Sequence, residues 1–255
     1  MFFWIIIFFI LGSAVGSFLN VVIDRTTKGE SIIGRSYCDH CKATLATVDL
    51  VPIVSFIALG AKCRYCKKPL SWQYPLVEAI TALLFVSSFL VLTLSGQLSI
   101  VVLTYYFFLA SILLVVAVVD LKFSLVPTTL VFFASFVSLF YNFFSLTSSQ
   151  FVQNVLVAFG AALFFGLIVL LTRGRGMGEG DIVLGFLIGM VLGIREAILA
   201  IFLAFLVGAA VSLFLIIIGK KHFGQTIPFA PFLTLGLIIS LFWAEKIIEW
   251  YLMLY

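Results

Sequence analysis

Four cysteines and four acids are the residues of this chain whose types and spacing suit chemistry. The cysteines form two Cys-x-x-Cys pairs, Cys38 with Cys41 and Cys63 with Cys66, separated by 21 residues. Each pair can bite one edge of a metal's tetrahedron, so the spacing predicts a thiolate zinc site. A redox pair or free thiols is the alternative, and thiols in a reducing cytoplasm do not persist as disulfides. Four thiolates leave no open position for a substrate, so such a metal is structural. His40 lies between the first two cysteines and could compete as a ligand, although a bystander role suits it better. The acids are Glu78, Asp120, Glu179 and Asp181, which sit in or beside apolar runs where an ionisable group is expensive and therefore usually functional.

Two of these acids share a local character. Asp120 is followed by Leu121-Lys122-Phe123-Ser124-Leu125-Val126-Pro127, and a proline interrupts regular helix. Asp181 is preceded by Gly174, Gly176, Gly178 and Gly180, which permit unusual backbone angles and close approach. Two carboxylates brought together in a partly dry site cannot both ionise cheaply. One then takes a proton from water while its protonated partner polarises a carbonyl, which is the division of labour in aspartic peptidases. A single acid at the edge of a span can equally be a helix cap, and for Glu78 capping and function are both open.

The elements that must position these residues are membrane helices. Of 255 residues, 64% are hydrophobic and 10% charged, and the mean hydropathy is +1.28. A soluble globular fold is excluded. The runs are apolar all round rather than alternating, as Ile201 to Ile218 illustrates, so they are helices and not strands of a barrel. Eight runs are expected, near 2–23, 76–94, 98–119, 125–144, 151–172, 182–194, 197–219 and 227–244, the sixth being short. The first lacks a basic start and a cleavage site and reads as a retained span. The expected fold is thus all-α, a polytopic integral membrane protein of about eight transmembrane helices with one cytosolic zinc-braced loop. The 29 phenylalanines read as lipid-facing or packing bulk.

Basic residues orient these spans. The connections after spans one, three, five and seven hold Arg25, Lys28, Arg35, Lys42, Lys62, Arg64, Lys67 and Lys68, then Lys122, then Arg173 and Arg175, then Lys220 and Lys221. Only Arg195 and Lys246 remain for the other face, so the positive-inside rule places those connections in the cytoplasm and both termini outside. Asp120 and Asp181 then share the cytoplasmic edge. The net charge of +4 is too mild to indicate nucleic acid.

Five ordered elements resemble the type IV prepilin peptidases, also called prepilin leader peptidase/N-methyltransferases. They are Gly16-Ser17-Phe18-Leu19-Asn20-Val21-Val22-Ile23 with Arg25; the cysteine pairs, with Pro52, Ser55 and Gly60 between them and Pro69 to Glu78 after them; Asp120 with Pro127; Gly178-Glu179-Gly180-Asp181; and Ile227-Pro228-Phe229-Ala230-Pro231-Phe232-Leu233. The resemblance covers almost the whole chain. The chain departs from the family pattern at Thr128, Val183, Asp39 and Ala230. The resemblance implies Asp120 and Asp181 as catalytic residues, supported by Gly178, Gly180 and Pro127. It implies an endopeptidase of a prokaryotic inner membrane that removes the basic leader from type IV prepilins or pseudopilins, serving pili or type II secretion. It also implies methylation of the new N-terminus with S-adenosylmethionine, associated in the family with the cysteine segment.

The expected organisation is residues 1–23 as a first transmembrane helix, 24–75 as the cytosolic tetracysteine segment and 76–255 as a multi-helix membrane peptidase domain. No glycine-rich nucleotide loop is visible in 24–75, so the methyl-donor residues are not assigned. Asn20, Asp24 and Glu78 frame that segment, as functional groups or as interface anchors. A transporter with paired acids and a noncatalytic zinc-loop adaptor are the competing classes. The first should carry its acids at mid-membrane, and the second leaves both aspartates idle.

Overall fold

A computed structural model describes residues 1–174, 176–220, 222 and 227–253. Among them are nine α-helices: α1 (Phe2–Lys28), α2 (Val54–Ala58), α3 (Gln73–Leu94), α4 (Ile100–Phe123), α5 (Thr128–Ser145), α6 (Ser148–Thr172), α7 (Glu179–Val191), α8 (Ile194–Ile217) and α9 (Ala230–Leu252). No strand occurs among the described residues, only two isolated antiparallel bridges in the tetracysteine segment. Seven of the helices are long and apolar enough to cross a membrane. The eight apolar runs are therefore all helical, but the sixth, α7, has 13 residues and rises about 20 Å, short of the roughly 30 Å of a hydrocarbon core. Arg175 and Lys221, two of the basic residues used to orient the spans, lie outside the described residues.

Local signals set the helix ends. Gly29, at φ 65°, closes α1 in the left-handed conformation and returns its N–H to the Arg25 carbonyl. Pro127 immediately precedes α5, and Thr147 with Gln150 forms a reciprocal cap on α6. α1 runs five residues beyond the expected end of the first span, so Asp24 and Arg25 are helical.

The chain divides into two compact units, Met1–Val115 and Val116–Tyr255, with the division inside α4. In the first unit α1 packs along α3. A Cβ at Gly12 or Gly16 would lie 2.7 Å from the Cα of Ala82 or Glu78, so these glycines let the two backbones meet directly. Phe8, Phe85, Phe89, Leu92 and Leu103 complete that core.

In the second unit α7 is the central element, packed against α5, α6 and α9. Its Leu184, Leu187 and Ile188 are fully buried. Gly189 approaches α6 so closely that a Cβ would lie 2.5 Å from the Ala158 Cα. The Asn142 amide on α5 donates to the Met190 carbonyl at 2.6 Å, securing the far end of α7. Phe132, Phe133, Phe136, Phe140, Phe143 and Phe144 on α5 are exposed, consistent with contact to lipid.

Candidate functional site

Asp120 lies in the last turn of α4 and Asp181 in the first turn of α7. Both are buried, each 5% exposed. The Asp120 charge reaches Asp181, so the fold brings near each other two acids 61 positions apart in the chain. Asp120 Oδ2 accepts a hydrogen bond from the Ala230 N–H at 3.1 Å. Ala230 begins α9, where early N–H groups have no partner inside the helix. Asp120 thus caps a helix other than its own. Asp181 Oδ2 accepts from the Gly178 N–H at 3.2 Å, and the Asp181 N–H donates back to the Gly178 carbonyl at 3.1 Å.

The irregular segments flanking the two acids are packed together. A Cβ added to Gly180 would overlap the Val126 side chain, and Val126 immediately precedes Pro127. Ser124 reverses the chain at φ 52° before Pro127 starts α5. Gly180 is therefore required for close packing, whereas Gly178 serves as the N-terminal cap residue of α7. Glu179, beside the buried Asp181, is exposed.

Sequence reasoning named both acids, Pro127 and both glycines. It did not name Val126 or the Ala230 N–H as their partners. Pro231 was the available signal, since a proline in the first turn marks a helix start, where neighbouring N–H groups lack partners within the helix.

The second centre lies in the first unit. The sulfurs of Cys38, Cys41, Cys63 and Cys66 all lie within 4.8 Å of one another. Two matching knuckles hold them. The Cys38 N–H donates to Ala43 and the Lys42 N–H to Cys38, while the Cys63 N–H donates to Lys68 and the Lys67 N–H to Cys63. Lys42 and Lys67 take the same left-handed turn, at φ 57° and 58°. With zinc–sulfur bonds of about 2.3 Å, a tetrahedron has edges of roughly 3.8 Å. Cys38 and Cys66 sulfurs are 3.9 Å apart, so the donor set fits zinc. The Cys66 and Tyr65 N–H groups outweigh burial and lower the Cys63 thiol to about 7. The Lys68 N–H favours the Cys66 thiolate, but burial and the neighbouring sulfurs push that thiol up to about 11. His40 is exposed and outside the sulfur cluster.

Glu78 is buried within α3 and does not cap that helix. Its Oε2 accepts from the Ile53 N–H in the tetracysteine segment at 2.7 Å, where Ile53 has a positive φ of 61°.

Comparison with known proteins identifies the family. The Bacterial Peptidase A24 N-terminal domain model matches residues 10–92, and the Type IV leader peptidase family model matches residues 107–213. The chain is 34% identical to the prepilin leader peptidase/N-methyltransferase of Bacillus subtilis over 248 residues, covering 96% of this chain and 97% of that one. The chain belongs to the type IV leader peptidase family. Proteins of the same name from Aeromonas hydrophila and Pseudomonas aeruginosa are each 31% identical, with 96% and 95% of this chain and 92% and 91% of theirs covered. No solved structure matches. In this member of the family the four-cysteine cluster falls within the match to the N-terminal model, and both buried aspartates fall within the match to the peptidase model.

Proposed function

We propose that this multi-pass membrane protein is an aspartic endopeptidase that removes the basic leader from type IV prepilins or pseudopilins and then methylates the exposed N-terminus. The observation that carries the peptidase reading is the pair of buried, electrostatically coupled aspartates at irregular backbone. Family membership and the names of the relatives support the same activity.

In this reading Asp120 and Asp181 are the catalytic pair. One carboxylate takes a proton from water, and the carboxylic acid of the other donates a hydrogen bond to the scissile carbonyl. The Gly178 N–H and the Ala230 N–H each hold one oxygen of their aspartate, orienting the pair without consuming the remaining oxygens. Packing of Gly180 on Val126 holds the irregular segments beside the two aspartates against each other.

The basic residues of the odd connections support an inner-membrane topology with both termini outside and the aspartates at the cytoplasmic face, where a basic leader remains. Functionally, residues 1–23 serve as the first span, 24–75 as a zinc-braced tetracysteine segment linked to methylation, and 76–255 as the membrane peptidase portion. Zinc on Cys38, Cys41, Cys63 and Cys66 supplies a cross-link to a segment with little apolar core of its own. S-adenosylmethionine supplies the methyl group.

The deciding experiment incubates purified protein with a prepilin and S-adenosylmethionine and reads the product by mass spectrometry. A product shortened by its leader and heavier by one methyl group is expected. An intact substrate with both aspartates present overturns the reading.

A further inference from the structure

Residues 50–61, between Asp49 and Lys62 in the middle of the tetracysteine segment, carry no charge. An apolar run of about 10–14 residues is too short to span a bilayer and suits either a buried core helix or a segment lying in the membrane interface. Burial excludes the first. Within this run α2 buries only Phe56, while Val54 and Ile57 are 61% and 71% exposed and Val51, three residues earlier, is exposed as well. Exposed apolar side chains grouped in this way mark a surface that something apolar covers.

The height of α2 follows from its contacts with α3. The Ile53 N–H, at the start of α2, donates to Glu78 Oε2 at 2.7 Å, and the Phe56 ring meets Trp72 edge-on with centroids 5.1 Å apart. α2 therefore lies beside the first turns of α3, a helix long and apolar enough to cross a membrane. α1 gives those turns a depth. Gly16 meets the backbone of Glu78, and the Asn20 amide donates to the Tyr74 carbonyl at 3.1 Å. At about 1.5 Å per residue from Phe2, Gly16 and Asn20 lie about 21 and 27 Å along α1, against roughly 30 Å for a hydrocarbon core. The first turns of α3 are thus at the edge of the core, and α2 shares that level. Trp72, also exposed, stands where tryptophan anchors helices at the membrane–water boundary, and Leu76 and Ile80 continue the exposed apolar surface along α3.

We propose that α2 is an interfacial anchor: Val51, Val54 and Ile57 enter the boundary between headgroups and acyl chains in the leaflet at the start of α3, continuous with the lipid-facing surface of that helix. Backbone donors in such a place need partners from the protein. The Ile53 N–H precedes the helix and has none within it, and Glu78 supplies one. The positive φ of Ile53, 61°, turns the chain into α2 at that contact. The tetracysteine segment is then fastened twice. Arg25 at the end of α1 donates to the carbonyls of Ser31, Ile32 and Arg35 at 2.9–3.0 Å, and α2 holds the stretch between the two cysteine knuckles against the lipid.

Fluorescence quenching of the full chain in vesicles of phosphatidylethanolamine and phosphatidylglycerol tests the proposal. A fluorescent side chain is introduced in place of Ile57, or in place of Lys67 at an exposed knuckle tip as a reference. The label at 57 should be quenched severalfold more by lipids brominated along the acyl chain than the label at 67, and severalfold less by aqueous iodide. Iodide quenching at 57 equal to that at 67 overturns the proposal. Protection of 57 from both quenchers overturns it too, because protein and not lipid then covers the face. A second measurement needs no label. In vesicles Ile57→Asp, in a chain that retains its helix content, should quicken exchange of the Ile57 and Leu59 N–H groups, bonded to the Ile53 and Ser55 carbonyls, severalfold, while Ile57→Leu should not. Unchanged exchange in Ile57→Asp is the behaviour of a residue facing water and overturns the proposal as well.

Discussion

Asp120 Oδ2 accepts the Ala230 N–H at 3.1 Å, joining the end of α4 to the start of α9 across 110 positions of sequence. One of the two carboxylates proposed for catalysis thus also satisfies an early backbone donor of α9. Asp181 has the corresponding arrangement on its own helix, through the Gly178 N–H at 3.2 Å. Each acid thus has one oxygen fixed by backbone.

If the pair acts as one unit, Asp120→Asn and Asp181→Asn should each lower prepilin cleavage on the order of a thousandfold or more, with the double variant scarcely worse. Asp→Glu at either position should also largely fail, because one added methylene displaces the carboxylate. Glu179→Gln should retain most activity, since that side chain is exposed. Near wild-type cleavage by a folded single Asp→Asn variant would falsify the dyad.

The two motif glycines should differ. Gly180→Ala forces a methyl group into Val126, and overpacking of this kind costs roughly 1–3 kcal/mol. Cleavage and thermal stability should both fall, and Val126→Ala should restore part of each. A Cβ at Gly178 meets nothing nearer than 4.0 Å, so Gly178→Ala should be mild. Equal damage from both substitutions, read as Tm and cleavage rate, would remove the packing explanation.

Metal retention should depend on pH. Zinc binding requires thiolates, and in the metal-free segment Cys63 titrates near 7 while Cys66 is pushed up to about 11. Protons therefore compete with zinc at every pH below about 11, and increasingly so below 7. Zinc per chain after dialysis should stay near one at neutral pH and fall progressively on acidification. A metal content indifferent to pH, or unaltered by Cys38→Ser with Cys63→Ser, contradicts a four-thiolate site.

A second acid effect should follow at lower pH. Burial opposes the charge of Asp49, but the Arg64 guanidinium and the Ala46 N–H hold its carboxyl below the usual value of 3.8. A depressed carboxylate contributes stability that is fully present above 3.8 and lost as pH falls through its folded value. In Asp49→Asn the stability of the segment, followed by hydrogen exchange, should vary less with pH in that range. An unchanged profile would mean the pair contributes nothing there.

The two activities should separate. The cysteine cluster lies in Met1–Val115 and the aspartates in Val116–Tyr255. Substitutions in residues 24–75 that preserve zinc should lower methyl transfer more than cleavage, as read from the two mass shifts of one product. Parallel loss of both in every folded variant argues for a shared centre.

Composition determined that this is a membrane protein, because a chain 64% hydrophobic cannot be enclosed by its own polar residues, and its unbroken apolar runs determined that the spans are helices. The paired cysteines likewise announced their cluster, since Cys-x-x-Cys is a local geometry repeated twice. Asp120 and Asp181 stood out because charge beside apolar runs is rare. Helix bounds were less legible: α1 extends through Lys28 to its Gly29 cap, and α7 keeps the expected 13 residues but begins at Glu179 rather than 182, because hydropathy does not mark polar end residues that stay helical. Only the tertiary structure decided which groups each acid meets. Ala230 for Asp120, Val126 for Gly180 and Ile53 for Glu78 are contacts between distant segments, and hydropathy along one strand of sequence carries no information about them. A cavity of about 340 Å³ walled by α1, α3 and the knuckles escaped the sequence for the same reason.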